Sequence, residues 1–265
     1  MASSRPLAKN GSDEPISRLA VLIDADNAQA LAIEGILAEV ARSGEATVKR
    51  IYGDFTASTS GKWKNVLQKY AIKPVQQFAY TTGKNATDST LIIDAMDLLY
   101  TRKFDGFCLV TSDSDFTGLA TRIREEGLTV LGFGEQKTPD AFRNACHKFI
   151  FTELLRPGFA ENESTAASAC SDAPAPTKPA PTTAPAPKFP KKFVLDALEQ
   201  SSDDSGWANL GRFGSYLTKL QPDFDSRVYG YKKLSDLVKA KKDLFTTEER
   251  TVPGTTLKNL YLRAK

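Results

Sequence analysis

The 265-residue sequence has a single histidine, His147, and only three cysteines, Cys108, Cys146 and Cys170. One imidazole excludes any mechanism that needs two, and three unevenly spaced thiols make neither a disulfide framework nor a four-ligand zinc site. A reducing, intracellular setting fits such thiols, so a cytoplasmic location is expected. Long apolar runs are also missing. The most apolar stretches are cut by Asp24, Asp26, Asp94 and Asp97 well before the roughly 20 residues a membrane helix needs, so no membrane association is expected. Residues 1–17 contain no apolar signal-peptide core and read as a disordered tail. Carboxylates are what the sequence leaves for chemistry.

Charge is present in both signs but unevenly placed. The net +3 divides into 15 Lys+Arg against 10 Asp+Glu from Lys188 onward, or +5, leaving 20 against 22, or −2, for residues 1–187. A basic unit suits a polyanion, and a slightly acidic one with clustered aspartates suits bound cations. Length alone makes two domains the prior. The boundary is visible in composition. Residues 161–187 are almost wholly Ala, Pro, Ser and Thr with six prolines, a stretch that cannot bury enough surface to fold. The expected organisation is a tail at 1–17, a domain at 18–157, an Ala/Pro-rich linker at 158–188 and a second domain at 189–265.

The first domain is organised around FCLVTSDSDF at 107–116. Four residues of fully buried strand character run directly into three polar residues and two carboxylates, Asp113 and Asp115. Helical spacing over 116–126, with a glycine stop at Gly127, puts those carboxylates on a strand-to-helix turn. The apolar run 19–23, followed by Asp24-Ala-Asp-Asn27 and helical spacing over 28–42, repeats the arrangement. Between and after these, strands are predicted at 47–52, 74–80, 128–133 and 149–152, with helices at 62–70, 88–102 and 139–146. Alternation at this spacing predicts an α/β fold: a parallel sheet with helices on both faces.

If the first and fourth strands are neighbours, Asp24 and Asp113 lie on one edge of that sheet. Asp88, at a helix start, can join them. Gathered carboxylates raise their pKa values or share a cation, and hard oxygen donors without a second His or a Cys set select Mg²⁺ or Mn²⁺. Asp94 lies about 240° around the helix from Asp88, which gives it a structural role. Lys84 reads equally as a phosphate contact or a solvated loop lysine. Trp63 and Tyr52 flank a Thr/Ser/Gly-rich loop, a place for stacking on a base, but core packing explains them more simply.

Three ordered motifs, IDADN at 23–27, GKNATDSTLIIDAMDL at 83–98 and TSDSDF at 111–116, resemble the NYN domain of the LabA-like group, a branch of the PIN-like nuclease fold. The resemblance implies a metal-dependent ribonuclease site in which Asp24, Asp88, Asp113 and Asp115 hold the metal, with Asn27 beside them.

From 189 onward, helices are predicted at 191–200, 211–220 and 231–240, with 244–247 and 257–262 pairing as a wing. This small α+β winged-helix pattern resembles the OST-HTH/LOTUS domain, chiefly around GYKKLSDL at 230–237. Arg227, Lys232, Lys233, Lys239, Lys241 and Lys242 would supply a basic strip for an RNA backbone. Two function classes follow. One is a Mg²⁺- or Mn²⁺-dependent endoribonuclease, acting on single-stranded or structured RNA, with an appended RNA-binding module. The other is a non-catalytic RNA-binding or adaptor protein whose aspartates form a structural cation site. A homodimer, and a protein partner for the C-terminal domain, are compatible with either.

Overall fold

The computed structural model describes residues 16–56, 61–78, 86–157, 189–251 and 258–265, which fall into two compact units. Lys84, Cys170 and the expected linker at 158–188 lie outside the described residues, as does the expected tail apart from residues 16 and 17. Ser17 is in place because its carbonyl accepts a 2.8 Å hydrogen bond from the Glu45 amide. Among the described residues no helix is long and apolar enough to cross a membrane.

The first unit is built on six strands, β1 (Arg18–Asp24), β2 (Glu45–Gly53), β3 (Lys73–Gln76), β4 (Gly106–Val110), β5 (Thr129–Gly134) and β6 (Lys148–Phe151). All pairs are parallel, in the spatial order β3-β2-β1-β4-β5-β6. Parallel pairing needs crossovers, supplied here by α1 (Ile33–Ser43), α2 (Gly61–Lys69), α3 (Ala86–Tyr100), α4 (Thr117–Glu125) and α5 (Asp140–Ala145). The unbroken apolar runs of β1 and β4 follow from burial on both faces. Leu19, Val21, Ile23, Cys108 and Val110 pack with Ile33, Ile36 and Val40 of α1 and Trp63 of α2. The alternate residues Ala20, Leu22, Phe107 and Leu109 are buried too, and α3 packs across β1 and β2 with Leu91, Ala95, Leu98 and Leu99 inward. Cys108 and Cys146 are buried, and burial pushes each thiol up to about 12, so neither offers a thiolate.

Two local features set where the helices begin and end. The helix expected from residue 28 begins only at Ile33, after a 3₁₀ turn at Ala30–Ala32, because residues 25–27 form a tight turn against Asp24. At the far end of α4, Gly127 adopts φ +78°, with Gly127 N donating to Arg124 O (2.9 Å) and Leu128 N to Ile123 O (3.3 Å). That left-handed cap stops α4 and feeds β5 back into the sheet.

The second unit has three helices, α6 (Lys191–Ser201), α7 (Leu210–Leu220) and α8 (Leu234–Ala240). They pack on an antiparallel sheet of β7 (Ala208–Asn209), β8 (Phe245–Thr251) and β9 (Lys258–Ala264), ordered β7-β9-β8. Val194, Leu198, Phe213, Leu217, Leu237, Val238, Phe245 and Leu262 form its core. Asn209 caps α7, its side-chain oxygen accepting from Gly211 N (2.9 Å) and Arg212 N (3.4 Å). The helix predicted over 231–240 is shorter at its start, because the 3₁₀ turn Ser226–Tyr229 ends at Gly230 with φ +83° and the chain is still extended at Lys233.

Gly134 closes β5 against the β4 loop: a Cβ there would sit 2.5 Å from the Thr111 carbonyl oxygen and 2.7 Å from Thr138 Oγ1. Gly134→Ala should therefore lower unfolding stability by about 1–3 kcal/mol. Gly61→Ala, whose Cβ meets nothing within 4 Å, should leave it unchanged or slightly raised. Urea-unfolding midpoints of the two variants give the comparison.

Candidate metal centre

The order of strands reverses between β1 and β4, and their carboxyl ends are where loops part and a ligand site can open. Asp24 is the last residue of β1 and is fully buried. A buried carboxylate is costly unless its oxygens are satisfied. Here Oδ1 accepts from the amides of Asp26 (3.0 Å) and Asn27 (3.3 Å), and Oδ2 accepts from Asn27 Nδ2 (2.8 Å) and Thr111 Oγ1 (2.8 Å). Four donors match the roughly four lone-pair sites of a carboxylate. Burial still pushes the Asp24 carboxyl above its ordinary value, against those hydrogen bonds.

After β4, Thr111 takes up both neighbouring strand ends. Its hydroxyl donates to Asp24 and accepts from the Asp113 amide (3.1 Å), while its own amide donates to the Phe133 carbonyl of β5 (2.9 Å). Asp113 then caps the 3₁₀ turn Ser114–Phe116 that leads into α4, its Oδ1 accepting from Asp115 N (3.0 Å). Asp88 comes from elsewhere, the first turn of α3.

Asp88, Asp113 and Asp115 are brought together: one carboxylate oxygen from each lies within 4.8 Å of the others. Oxygens that share a cation at about 2.0–2.6 Å are held within about that separation, so the three fit one hard divalent ion. An all-oxygen, all-carboxylate donor set suits a hard divalent cation. Asp88 records the crowding. Its carboxyl is pushed up to about 6, first by burial and then by the charges of Asp24, Asp113, Asp115 and Asp26.

Of the four aspartates expected to hold metal, the structure thus gathers three and keeps Asp24 behind them with its oxygens engaged. Asn27, expected beside the metal, turns both its side-chain amide and its backbone N–H to Asp24. Asp94 turns away and accepts from Arg50 Nη1 and Tyr52 Oη, fixing α3 to β2. Tyr52 is fully buried, and Trp63 is nearly so. Sequence reasoning missed Thr111, Ser112 and Glu135. Ser112 Oγ accepts from the Glu135 amide (2.9 Å), and the Glu135 carboxylate accepts from Gln29, tying the β5 end to the β1 turn. A threonine directly after a buried strand was the available signal for Thr111; Gln29 and Glu135 are 106 positions apart and leave none.

In the second unit, the expected basic strip separates into two kinds of side chain. Arg227 grips Asp225, with Nε at 3.1 and 3.0 Å from the two oxygens and Nη2 at 2.6 Å, and Lys239 Nζ lies 3.0 Å from Glu249 Oε1. Lys232 and Lys233 stand exposed just before α8. The sequence did not reveal Arg250, whose guanidinium lies 4.9 Å from the Trp207 ring and 4.6 Å from the Tyr261 ring.

The NYN domain model matches residues 18–155, and the OST-HTH/LOTUS domain model matches residues 186–256. No curated protein matches the chain. Among solved structures, an uncharacterized protein from Nitrosomonas europaea is 70% identical over 37% of this chain and 91% of its own, with a TM-score of 0.29. A protein of unknown function from Vibrio parahaemolyticus is 17% identical over 53% and 94%, TM-score 0.44. A protein from Chromobacterium violaceum is 34% identical over 30% and 84%, TM-score 0.24.

The burial of Asp88 and the charges around it give a stability test. Its folded value of about 6 exceeds the ordinary 3.8, so the penalty is absent below 3.8, grows as pH rises and is complete above 6. In metal-free protein, Asp88→Asn should therefore be stabilising at neutral pH, by no more than about 1 kcal/mol after solvent screening. The gain should shrink between pH 6 and 4, which thermal unfolding across that range would reveal.

Proposed function

Because the chain belongs to the NYN domain family, we propose that it is a divalent-metal-dependent endoribonuclease whose OST-HTH/LOTUS unit holds the RNA. Within the family, the resemblance of the motifs IDADN and TSDSDF supports a reading as a LabA-like protein. The observation that carries the reading is the meeting of three carboxylates within 4.8 Å at the point where the order of a parallel sheet reverses. Asp88, Asp113 and Asp115 would hold Mg²⁺ or Mn²⁺. Such an ion, when bound, lowers the pKa of a water and neutralises charge that develops on a phosphate.

The chain's own residues supply the positioning. Thr111 holds the Asp113 amide, so the Asp113 carboxylate is fixed at a strand end rather than on a mobile loop. Asn27 and Thr111 together keep Asp24 in place, a buried negative charge behind the cluster that favours a cation in front of it. The second unit contributes cations: Lys232 and Lys233 face solvent and suit the phosphates of an RNA chain. Residues 158–188 would act as the tether, raising the local substrate concentration up to about the millimolar range. The proposed domain limits are 18–157 and 189–265, and the proposed setting is the cytoplasm.

Purified protein should shorten single-stranded RNA only when Mg²⁺ or Mn²⁺ is added, and Asp113→Asn should reduce the rate at least about 100-fold while RNA binding persists or tightens. A rate unchanged in Asp113→Asn would reject this site. Removal of residues 189–265 should raise KM more than it lowers kcat. Binding by residues 189–265 alone should weaken with salt at a log–log slope near −0.7 per phosphate contacted. Charge reversal at Lys232 and Lys233 should flatten that slope; no RNA affinity at low salt would instead mark the unit as a protein-docking domain.

A further inference from the structure

Beside the carboxylate cluster the first unit has a cavity of about 800 Å³, open to solvent and walled by the β1 turn, the end of β2 and the face of α2. Its lining is mixed. Ala28, Leu31, Phe55 and Trp63 make it apolar, and Asp26, Gln29, Asp54 and Lys62 stand among them, with Asp54 accepting from Thr56 Oγ1 and Gln76 Nε2, so that Lys62 is the one cation of the lining among the described residues. Core packing accounts for Trp63, which is 7% exposed, but not for Leu31, which leaves 72% of its surface in solvent on the 3₁₀ turn before α1. Phe55 is only partly buried, although it packs on the edge of the same core. The turn after β1 connects the cavity to Asp24: Asp26 lines the cavity, and its amide is bound to the Asp24 carboxylate. Asp26 is also near enough to act on the charge of Asp88.

A site of this size holds a small organic molecule, and small-molecule sites commonly combine apolar walls with a few polar groups. A flat ligand with apolar faces and a polar edge, carrying an anion, matches Phe55, Leu31 and Lys62 together. We propose that the cavity seats the base of a nucleotide adjoining the phosphate to be cleaved, with the base stacked on Phe55 and Lys62 paired to that nucleotide's phosphate. This deepens the ribonuclease reading and rests on it for the identity of the ligand. A base inside a duplex presents no free face, so the substrate is RNA that is single-stranded at that position.

Mononucleotide binding separates this inference from the cleavage reading. In full-length protein carrying Trp207→Phe, Trp63 is the sole tryptophan, and its fluorescence can be followed with EDTA present, so that metal plays no part. Adenosine and uridine 5′-monophosphates should quench it saturably at millimolar concentration, and ribose 5-phosphate, which lacks a base, should not. Phe55→Ala should weaken nucleotide binding about tenfold, Phe55→Tyr should keep it, and Lys62→Ala should weaken it as well. In cleavage assays Phe55→Ala should raise KM with kcat nearly unchanged. Absence of quenching, equal quenching by ribose 5-phosphate, or undiminished binding by Phe55→Ala would overturn the base pocket. If cleavage still required Asp113 in any of those cases, the ribonuclease reading would stand without it. Nucleotide quenching in a protein that cleaves no RNA would have the converse meaning.

Discussion

One hydroxyl, that of Thr111, joins the two halves of the candidate centre. It donates to the Asp24 carboxylate and accepts from the Asp113 amide, so the ends of β1 and β4 are fixed to each other by a single side chain. The link exists only because β1 and β4 are paired, about 4.8 Å apart in the hydrogen-bonding direction. With any strand order that separated them, Asp24 would be a buried charge short of one donor. Thr111 thus converts a property of the whole sheet, its point of reversal, into the local position of a carboxylate.

Around that link the fold accumulates negative charge it has no folding reason to gather. Asp88, Asp113 and Asp115 approach one another in front of Asp24, and Asp26 adds to their field. The surrounding structure resists the repulsion because β4 and all of β1 beyond Arg18 are buried and α3 is held to β2 by Asp94, Arg50 and Tyr52. Local repulsion maintained by a rigid frame is what a cation site requires, since an ion that binds only the folded state is favoured by every unit of repulsion it relieves.

Most of the frame was legible in the sequence because each strand-to-helix turn is a local event. Apolar runs ending in Asp24 and in Thr111 to Asp115 mark where strands stop, and Gly127 marks where α4 stops. The convergence of the aspartates was legible only on the condition that the first and fourth strands are neighbours, which local pattern cannot fix; the strand order meets that condition. The division of labour among the aspartates was not legible. A strand-end Asp looks the same whether it faces solvent or accepts four hydrogen bonds, and the donors to Asp24 include Thr111, 87 residues away. The same blindness applies to charges in the second unit, where Arg227 reads as a surface cation until Asp225 is seen folded back onto it.

The charge division between the two parts of the chain has a further physical consequence. At physiological ionic strength the Debye length is about 8 Å, so the +5 of the C-terminal residues cannot draw RNA toward the acidic edge across any larger distance. Nor can that edge attract phosphate, since its carboxylates repel an approaching backbone until a cation is in place. Steering by field therefore contributes little to how substrate would reach the cluster. What remains for the proposed reading is contact: RNA would be held by cations such as Lys232 and Lys233, and a covalent tether would make the second encounter intramolecular. In the proposed reading, then, affinity and chemistry occupy separate units because the groups that favour a bound cation are the same groups that disfavour a bound polyanion.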